Sequence, residues 1–240
     1  MDEEELRKEV ERIAEEEAEN IKRPVNREYE QKKTNSPLIM IGGLLLVLLI
    51  ILMVIPYHWV KSDPPPKNVP GMEVLPKNLE AMTEQVHNLP YEQRANYKKM
   101  MFTDNAAIRI LASRIITQSC EGGEKICQAK ALFQWVRDNF QYISDPRNGY
   151  LENPFETMQM GGADCDGTSI LLANLLGSVG FPIRFVFIPN HVYVQVLINK
   201  APGKYKETDG WINADATCSS CEFGEIPYST GNRNREYLYV

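Results

Sequence analysis

The 240-residue chain contains no basic block interleaved with aromatic residues, so nucleic acid is not an indicated partner. It has no glycine-rich phosphate-binding loop, and with three histidines in all it has no histidine-rich metal motif. Nothing in it marks a calcium loop either, so no cofactor and no metal is expected. Excess charge is also missing from most of the chain. The formal net charge is -6, but residues 2–20 alone hold ten acids against three bases. The remainder is close to neutral, so the acidity belongs to a short N-terminal segment and says nothing about a substrate.

One stretch lacks charge altogether. From Leu38 to Ile55 the sequence reads LIMIGGLLLVLLIILMVI, with no charged or strongly polar side chain. A helix needs about 20 apolar residues to cross a hydrocarbon core of roughly 30 Å, and Pro56 to Val60 supply the rest. Tyr57 and Trp59 fall where interfacial aromatics sit. A buried core helix keeps a polar face, and this run has none. A cleaved signal peptide has an apolar region of roughly 7–15 residues near the N-terminus, followed by a small-residue cleavage site. This run starts late, is longer, and lacks that site. Residues 38–60 are therefore expected to be a single transmembrane helix. Lys22, Arg23, Arg27, Lys32 and Lys33 precede it, and only Lys61 and Lys67 follow closely. That imbalance puts the N-terminus in the cytoplasm and the C-terminal domain outside the cell membrane.

The rest of the chain divides around that run. Residues 1–37 form a charged segment, whose Leu6, Val10, Ile13, Ala14, Ala18 and Ile21 recur at helical spacing until Pro24 ends the pattern. Residues 61–77 include SDPPPKNVP and are expected to be an extended, semi-rigid linker. Residues 78–240 are expected to be one globular domain. Within it, helical spacing covers 105–118, 125–140 and 168–179. The period then changes, and 184–188, 192–198 and 211–214 read as strands, with a loop over 199–210. Helices followed by strands able to pair antiparallel indicate an α+β fold.

Three residues at the edges of these elements carry chemistry. Cys165 lies in GGADCDG, just before the leucine-rich helix, where unpaired N–H groups and the helix dipole favour an anion. A thiol nucleophile needs a base, and the base needs a third group to orient it. His191 opens one strand after a Pro189-Asn190 turn, and Asp215 ends the next. If those strands pair antiparallel, the start of one lies beside the end of the other, and imidazole and carboxylate meet. Singly, each residue has an ordinary explanation: a small buried cysteine, a structural histidine, a turn-forming aspartate. The ordered set is what points to catalysis.

That set resembles the transglutaminase-like superfamily, within the papain-like cysteine enzymes. The resemblance covers about residues 125–218 and rests on ALFQWVRDNFQYISD at 131–145, GGADCDGTSILLANLLGSVGFPIRFV at 161–186, HVYVQV at 191–196 and WINADAT at 211–217. It implies a core of helices packed on an antiparallel sheet, with Cys165, His191 and Asp215 as catalytic triad. Tyr142 and Trp211 match positions that are often aromatic in the family, though core packing accounts for both equally well. The region before about residue 100 matches nothing recognised. The chain also lacks the extra domains of the large crosslinking transglutaminases, so crosslinking does not carry over. The implied activity is cysteine-dependent acyl transfer on a peptide or amide bond, with a peptide or protein substrate and hydrolysis favoured. Two alternatives stand beside it: a membrane-tethered, non-catalytic protein-binding module on the same fold, or a sensor whose acting part is the N-terminal helix.

Four further cysteines form two clusters, Cys120 with Cys127 and Cys218 with Cys221. An exported domain favours disulfides. Two local bridges, pairing between clusters, and a zinc site built on Cys218-x2-Cys221 all remain open on spacing alone.

Overall fold

A computed structural model describes residues 3–22, 37–144, 150–227 and 234–240. The chain separates into two units, Met1–Ile51 and Leu52–Val240. The first contains α1 (Glu3–Lys22) and the beginning of α2 (Pro37–Ser62). In α1 the charged residues pair at helical spacing, Lys8 with Glu4 and Arg12 with Glu9, while Val10 and Ile13 remain exposed. Along α2, the apolar side chains from Ile39 to Ile55 are 45–76% exposed where described. Among the described residues, no helix is long and apolar enough to cross a membrane. The side chains of Leu38 and of residues 56–62, which flank the apolar run, lie outside that set. So do Pro24 and the basic residues Arg23, Arg27, Lys32 and Lys33, and the side chains of Lys22, Tyr57 and Trp59.

The second unit is the α+β domain. Its helices are α3 (Leu79–His87), α4 (Tyr91–Arg94), α5 (Ala106–Ser119), α6 (Lys125–Asn139), α7 (Pro154–Met160) and α8 (Cys165–Ser178). Short strands β1 (Gln141–Tyr142) and β2 (Gly162–Ala163) pair in parallel. The main sheet comprises β3 (Ile183–Ile188), β4 (His191–Leu197), β5 (Trp211–Ala214) and β6 (Glu236–Tyr239), in the antiparallel order β5-β4-β3-β6. The three expected helices and three expected strands are present. The strand β6, the β1–β2 pair and the shorter helices were not legible, being four residues or fewer or weakly periodic.

At the centre lies α8. Ile170 through Ala173, Leu175 and Leu176 are all fully buried. A helix apolar on every side must be covered on every side, and α5, α6 and α7 pack around it while β4 and β3 lie beneath. Among its buried polar side chains, Asn174 at the middle of the helix is fully satisfied. The amide donates to Met100 O (2.9 Å) and Ile170 O (2.8 Å), and its oxygen accepts from Phe102 N. These bonds bolt the segment around the 3₁₀ turn Tyr97–Met100 to α8.

The other face of the sheet carries a polar relay across all four strands. Arg184 on β3 is 3% exposed; it donates to Gln195 on β4 (2.6 Å) and to the Tyr239 hydroxyl on β6 (3.0 Å), and it pairs with Asp209. Gln195 in turn donates to Asn213 on β5 (2.7 Å). The guanidinium lies 4.5 Å from the Trp211 ring and 4.0 Å from that of Tyr237.

The proline-rich stretch differs from a free linker. Asp63, one residue past α2, is buried and accepts from Lys130 of α6, from Lys204 (2.7 Å) and from the Tyr205 hydroxyl (2.8 Å). Lys67 N donates to Ser119 O (2.7 Å), Trp135 Nε1 to Gly71 O (3.3 Å), and Val74 joins the core. Prolines have no N–H to offer, so this segment lies extended against the helices and bonds through its carbonyls and flanking residues. Burial works to raise the Asp63 pKa, but its three donors outweigh that and hold it below the usual carboxylate range. Its contribution to stability is therefore present at neutral pH and is lost as pH falls through that lowered value.

Removing Asp63 strands Lys130, whose side chain is 10% exposed. Asp63→Ala should cost about 3–5 kcal/mol and lower the melting temperature by roughly 10 °C, read by differential scanning fluorimetry. Adding Lys130→Met to Asp63→Ala should recover most of the loss.

Candidate active site

The loop before α8 is set by backbone geometry. Gly161 ends α7 in the left-handed region (φ 73°), a conformation that favours glycine. At Gly162 a Cβ would come within 2.4 Å of Gln141 O, so β1 and β2 can pair only with glycine there. Gln141 N donates to Gly161 O and Ile143 N to Ala163 O, which fixes the approach to Cys165. Asp164 then caps α8, its Oδ1 accepting from Asp166 N (2.8 Å) and Gly167 N (3.3 Å). Cys165 is thereby placed in the first turn of a rigid, buried helix. It is half-buried and is the one free cysteine among the described residues.

His191 is delivered by the β3–β4 hairpin. Ile188 pairs with His191 across the two-residue turn Pro189-Asn190, in which Asn190 has φ 62°. Val194 pairs with Ala214, so Asp215 is the residue following the last pair of the β4–β5 ladder. The antiparallel register brings the two side chains together: His191 Nε2 lies 2.8 Å from Asp215 Oδ2. With Nε2 so engaged, Nδ1 is the ring nitrogen left to face the nucleophile, and Cys165 lies near enough to help raise the pKa of the imidazole. Ser169 Oγ of α8 donates to Val192 O of β4 (3.1 Å), tying the cysteine's helix to the histidine's strand. The structure thus brings His191 and Asp215 into contact and places Cys165 in the first turn of the helix tied to the histidine's strand.

Asp215 is 1% exposed. Its second oxygen accepts from Thr217 N (3.2 Å) and Thr217 Oγ1 (2.5 Å). Sequence reading missed Thr217, although an aspartate followed two residues later by threonine is a common local turn pattern. Two local disulfides, Cys120–Cys127 and Cys218–Cys221, resolve the open pairing. The second closes the loop directly after Asp215, where Cys218 N also donates to Asp215 O (3.3 Å). His191, Asp215, Thr217 and Cys218 line a shallow depression of about 410 Å³. A larger cavity of about 670 Å³ lies toward the C-terminal end of α8, beside Lys125, Phe181 and Ile198, and none of the three residues reaches it.

The electrostatics of His191 combine opposing effects. Burial works to lower its pKa, while the hydrogen bonds and charges of Asp215 and Cys165 raise it, and the net result is about 9. At neutral pH the ring is therefore imidazolium, suited to stabilise a neighbouring thiolate and to donate a proton. Of the two aromatic positions singled out in sequence, Tyr142 lies in β1 opposite Ala163, close enough to feel the charges of Cys165, Asp164 and Asp166. Trp211 belongs instead to the Arg184 cluster on the far face of the sheet.

Asp215→Asn should bring the pH at which His191 titrates down from about 9 toward the ordinary 6.5, observed by NMR of the imidazole protons. The stabilising effect of protonated His191 is full below about pH 6.5 and lost as pH rises through about 9. That alkaline loss should shrink in the same variant.

No curated protein matches the chain significantly. Among solved structures, one match is a candidate cysteine protease from Cytophaga hutchinsonii, at 16% identity and a TM-score of 0.36 over 65% of this chain and 58% of that one. This chain therefore spans less than two thirds of that protein's length. Two others are Legionella pneumophila LapG, EGTA-treated (16% identity, TM-score 0.36, 65% of this chain and 78% of that one) and without that treatment (16%, 0.35, 65% and 81%). Residues 112–216, which include Cys165, His191 and Asp215, match the model of the transglutaminase-like superfamily.

Proposed function

We propose that this protein is a membrane-anchored cysteine peptidase or amidase in which Cys165 is the nucleophile, His191 the general base and acid, and Asp215 the group that orients the imidazole. The observation that carries the reading is the contiguous set Cys165, His191 and Asp215, with the His191–Asp215 bond at 2.8 Å and the thiol at a capped helix N-terminus.

The chemistry follows from those positions. The Cys165 thiolate attacks the carbonyl carbon of a peptide or amide bond, and the C=O electron pair moves to oxygen. Cys165 N–H, in the first turn of α8, supplies a donor for that oxyanion. His191, protonated at rest, gives its proton to the leaving nitrogen as the C–N bond breaks and a thioester forms. Water then attacks the thioester, His191 takes up its proton, and collapse releases the acid and regenerates the thiolate–imidazolium pair. An amine in place of water would give transamidation by the same steps. Hydrolysis, with water as the acceptor, is the outcome this reading favours.

Membrane anchoring through residues 38–60 is part of the same proposal. Its support is the charge-free run Leu38–Ile55 and the high exposure of the described side chains within it. Five bases before the run and two after favour a cytoplasmic N-terminus and an extracytoplasmic domain. The two disulfides are consistent with that oxidising side. Resistance of the full chain to alkaline carbonate extraction, with protease access to the C-terminal domain from outside intact cells, tests this part. Release into the carbonate supernatant would overturn it.

Catalysis is tested by the rate of Cys165 alkylation against pH on the full chain, followed by mass spectrometry. His191→Ala should slow alkylation at pH 7 by about 100-fold or more. An unchanged profile would remove the enzyme reading and leave a protein-binding module on the same fold.

A further inference from the structure

Beside the nucleophile sits a carboxylate that the reaction does not use. Asp166 follows Cys165 in the first turn of α8, and its Oδ1 lies 3.8 Å from Cys165 Sγ. A helix N-terminus favours an acid in general, but a carboxylate this close opposes a thiolate and offers the neutral thiol a competing acceptor. The same Oδ1 accepts a 2.6 Å hydrogen bond from the Tyr97 hydroxyl. Tyr97 comes from the 3₁₀ turn Tyr97–Met100, outside the superfamily match at 112–216.

We propose that Tyr97 is a positioning residue for the nucleophile: by holding Asp166 Oδ1, it draws that carboxylate's charge away from Cys165 and leaves the thiol to His191. The proposal rests on the reading of Cys165 as nucleophile.

Several features make Tyr97 a fixed donor. Its ring meets Phe185 and Phe187 edge-on, each at 5.0 Å between centroids. Asn96 caps the turn, its Oδ1 accepting from Lys98 N and Lys99 N. The Asn174 bonds to Met100 and Phe102 lock the same turn to α8. Burial, then the hydrogen bond and charge of Asp166, raise the Tyr97 pKa well above the usual tyrosine range, so the hydroxyl stays protonated wherever the enzyme would work. The other charged or titratable groups around Cys165 are Asp164 at the cap, His191 from β4, Asp215 after β5 and Tyr142 from β1. Glu152 lies against Gly167, two residues further into α8. Asp166 is in hydrogen-bonding contact with both the sulfur and a tyrosine hydroxyl.

Tyr97→Phe keeps the ring and its packing and removes only the donor. A double-mutant cycle on the full chain separates charge control from a structural effect. The readout is the pH profile of Cys165 alkylation in wild type, Tyr97→Phe, Asp166→Asn and the double variant. Tyr97→Phe should slow alkylation at pH 7 by about 5- to 10-fold and move the rising limb to higher pH, a shift corresponding to a partial loss of one charge-assisted hydrogen bond. Asp166→Asn should alkylate at least as fast as wild type. Adding Tyr97→Phe to Asp166→Asn should change the rate less than twofold. A Tyr97→Phe profile superimposable on wild type overturns the proposal, as does equal slowing in both backgrounds. Melting curves for the four proteins report loss of folding separately. Loss of His191 dependence in the same assay would count against the proposed reaction, and the Tyr97 comparison would still be scored.

Discussion

The arrangement depends on one constraint: α8 has no polar side along its middle and must be enclosed. Ile170 through Ala173, Leu175 and Leu176 are all fully buried, so helices have to lie on several flanks and the sheet has to close the remaining one. Enclosure fixes the axis of the helix, and the axis fixes where its first turn emerges. The end that emerges carries Cys165. The hydrophobic effect is non-directional, yet here it helps aim a nucleophile, because burying the leucine-rich length of the helix leaves its polar entrance, with half-buried Asp164, Cys165 and Asp166, at the edge of the core.

The histidine and aspartate depend on register instead. A slip of one residue in the β4–β5 ladder would send every side chain to the opposite face and separate His191 from Asp215. Hydrophobic alternation resists that slip on the helix side of the sheet. On the far side, the relay from Arg184 through Gln195 to Asn213, with Tyr239 on β6, links side chains of all four strands. Such a relay is satisfied only at one register, so a buried arginine far from the chemistry helps define it. Thr217 and the Cys218–Cys221 bridge then restrain the few residues beyond the ladder's end.

Much of this was legible in sequence because it is local. The leucine-rich pattern of 168–179, the alternation of 184–188 and 192–198, and the placement of Cys165, His191 and Asp215 at element edges all follow from near neighbours in the chain. What was not legible is set by long-range pairing. Nothing near Tyr97 announces that it will meet Asp166, 69 residues later. Asn174 reads as an ordinary helix residue until Met100 and Phe102 appear beside it. The strand β6 is four exposed or half-exposed residues whose only strong signal is the partner strand it joins. The proline-rich segment reads as a spacer by composition, and only the buried partners of Asp63 and the burial of Val74 show that it is part of the domain.

Asp63 has a mechanical side. It follows the last residue of α2 directly and is held by Lys130, which lies midway along α6. Pro64 to Pro66 therefore cannot serve as a spring, because the chain is already gripped before it reaches them. Tension arriving along α2 would pass through one carboxylate to α6, and α6 packs directly on the helix that presents Cys165. The junction transmits force where a flexible linker would absorb it, and its yield point is the one carboxylate on which Lys130, Lys204 and the Tyr205 hydroxyl converge.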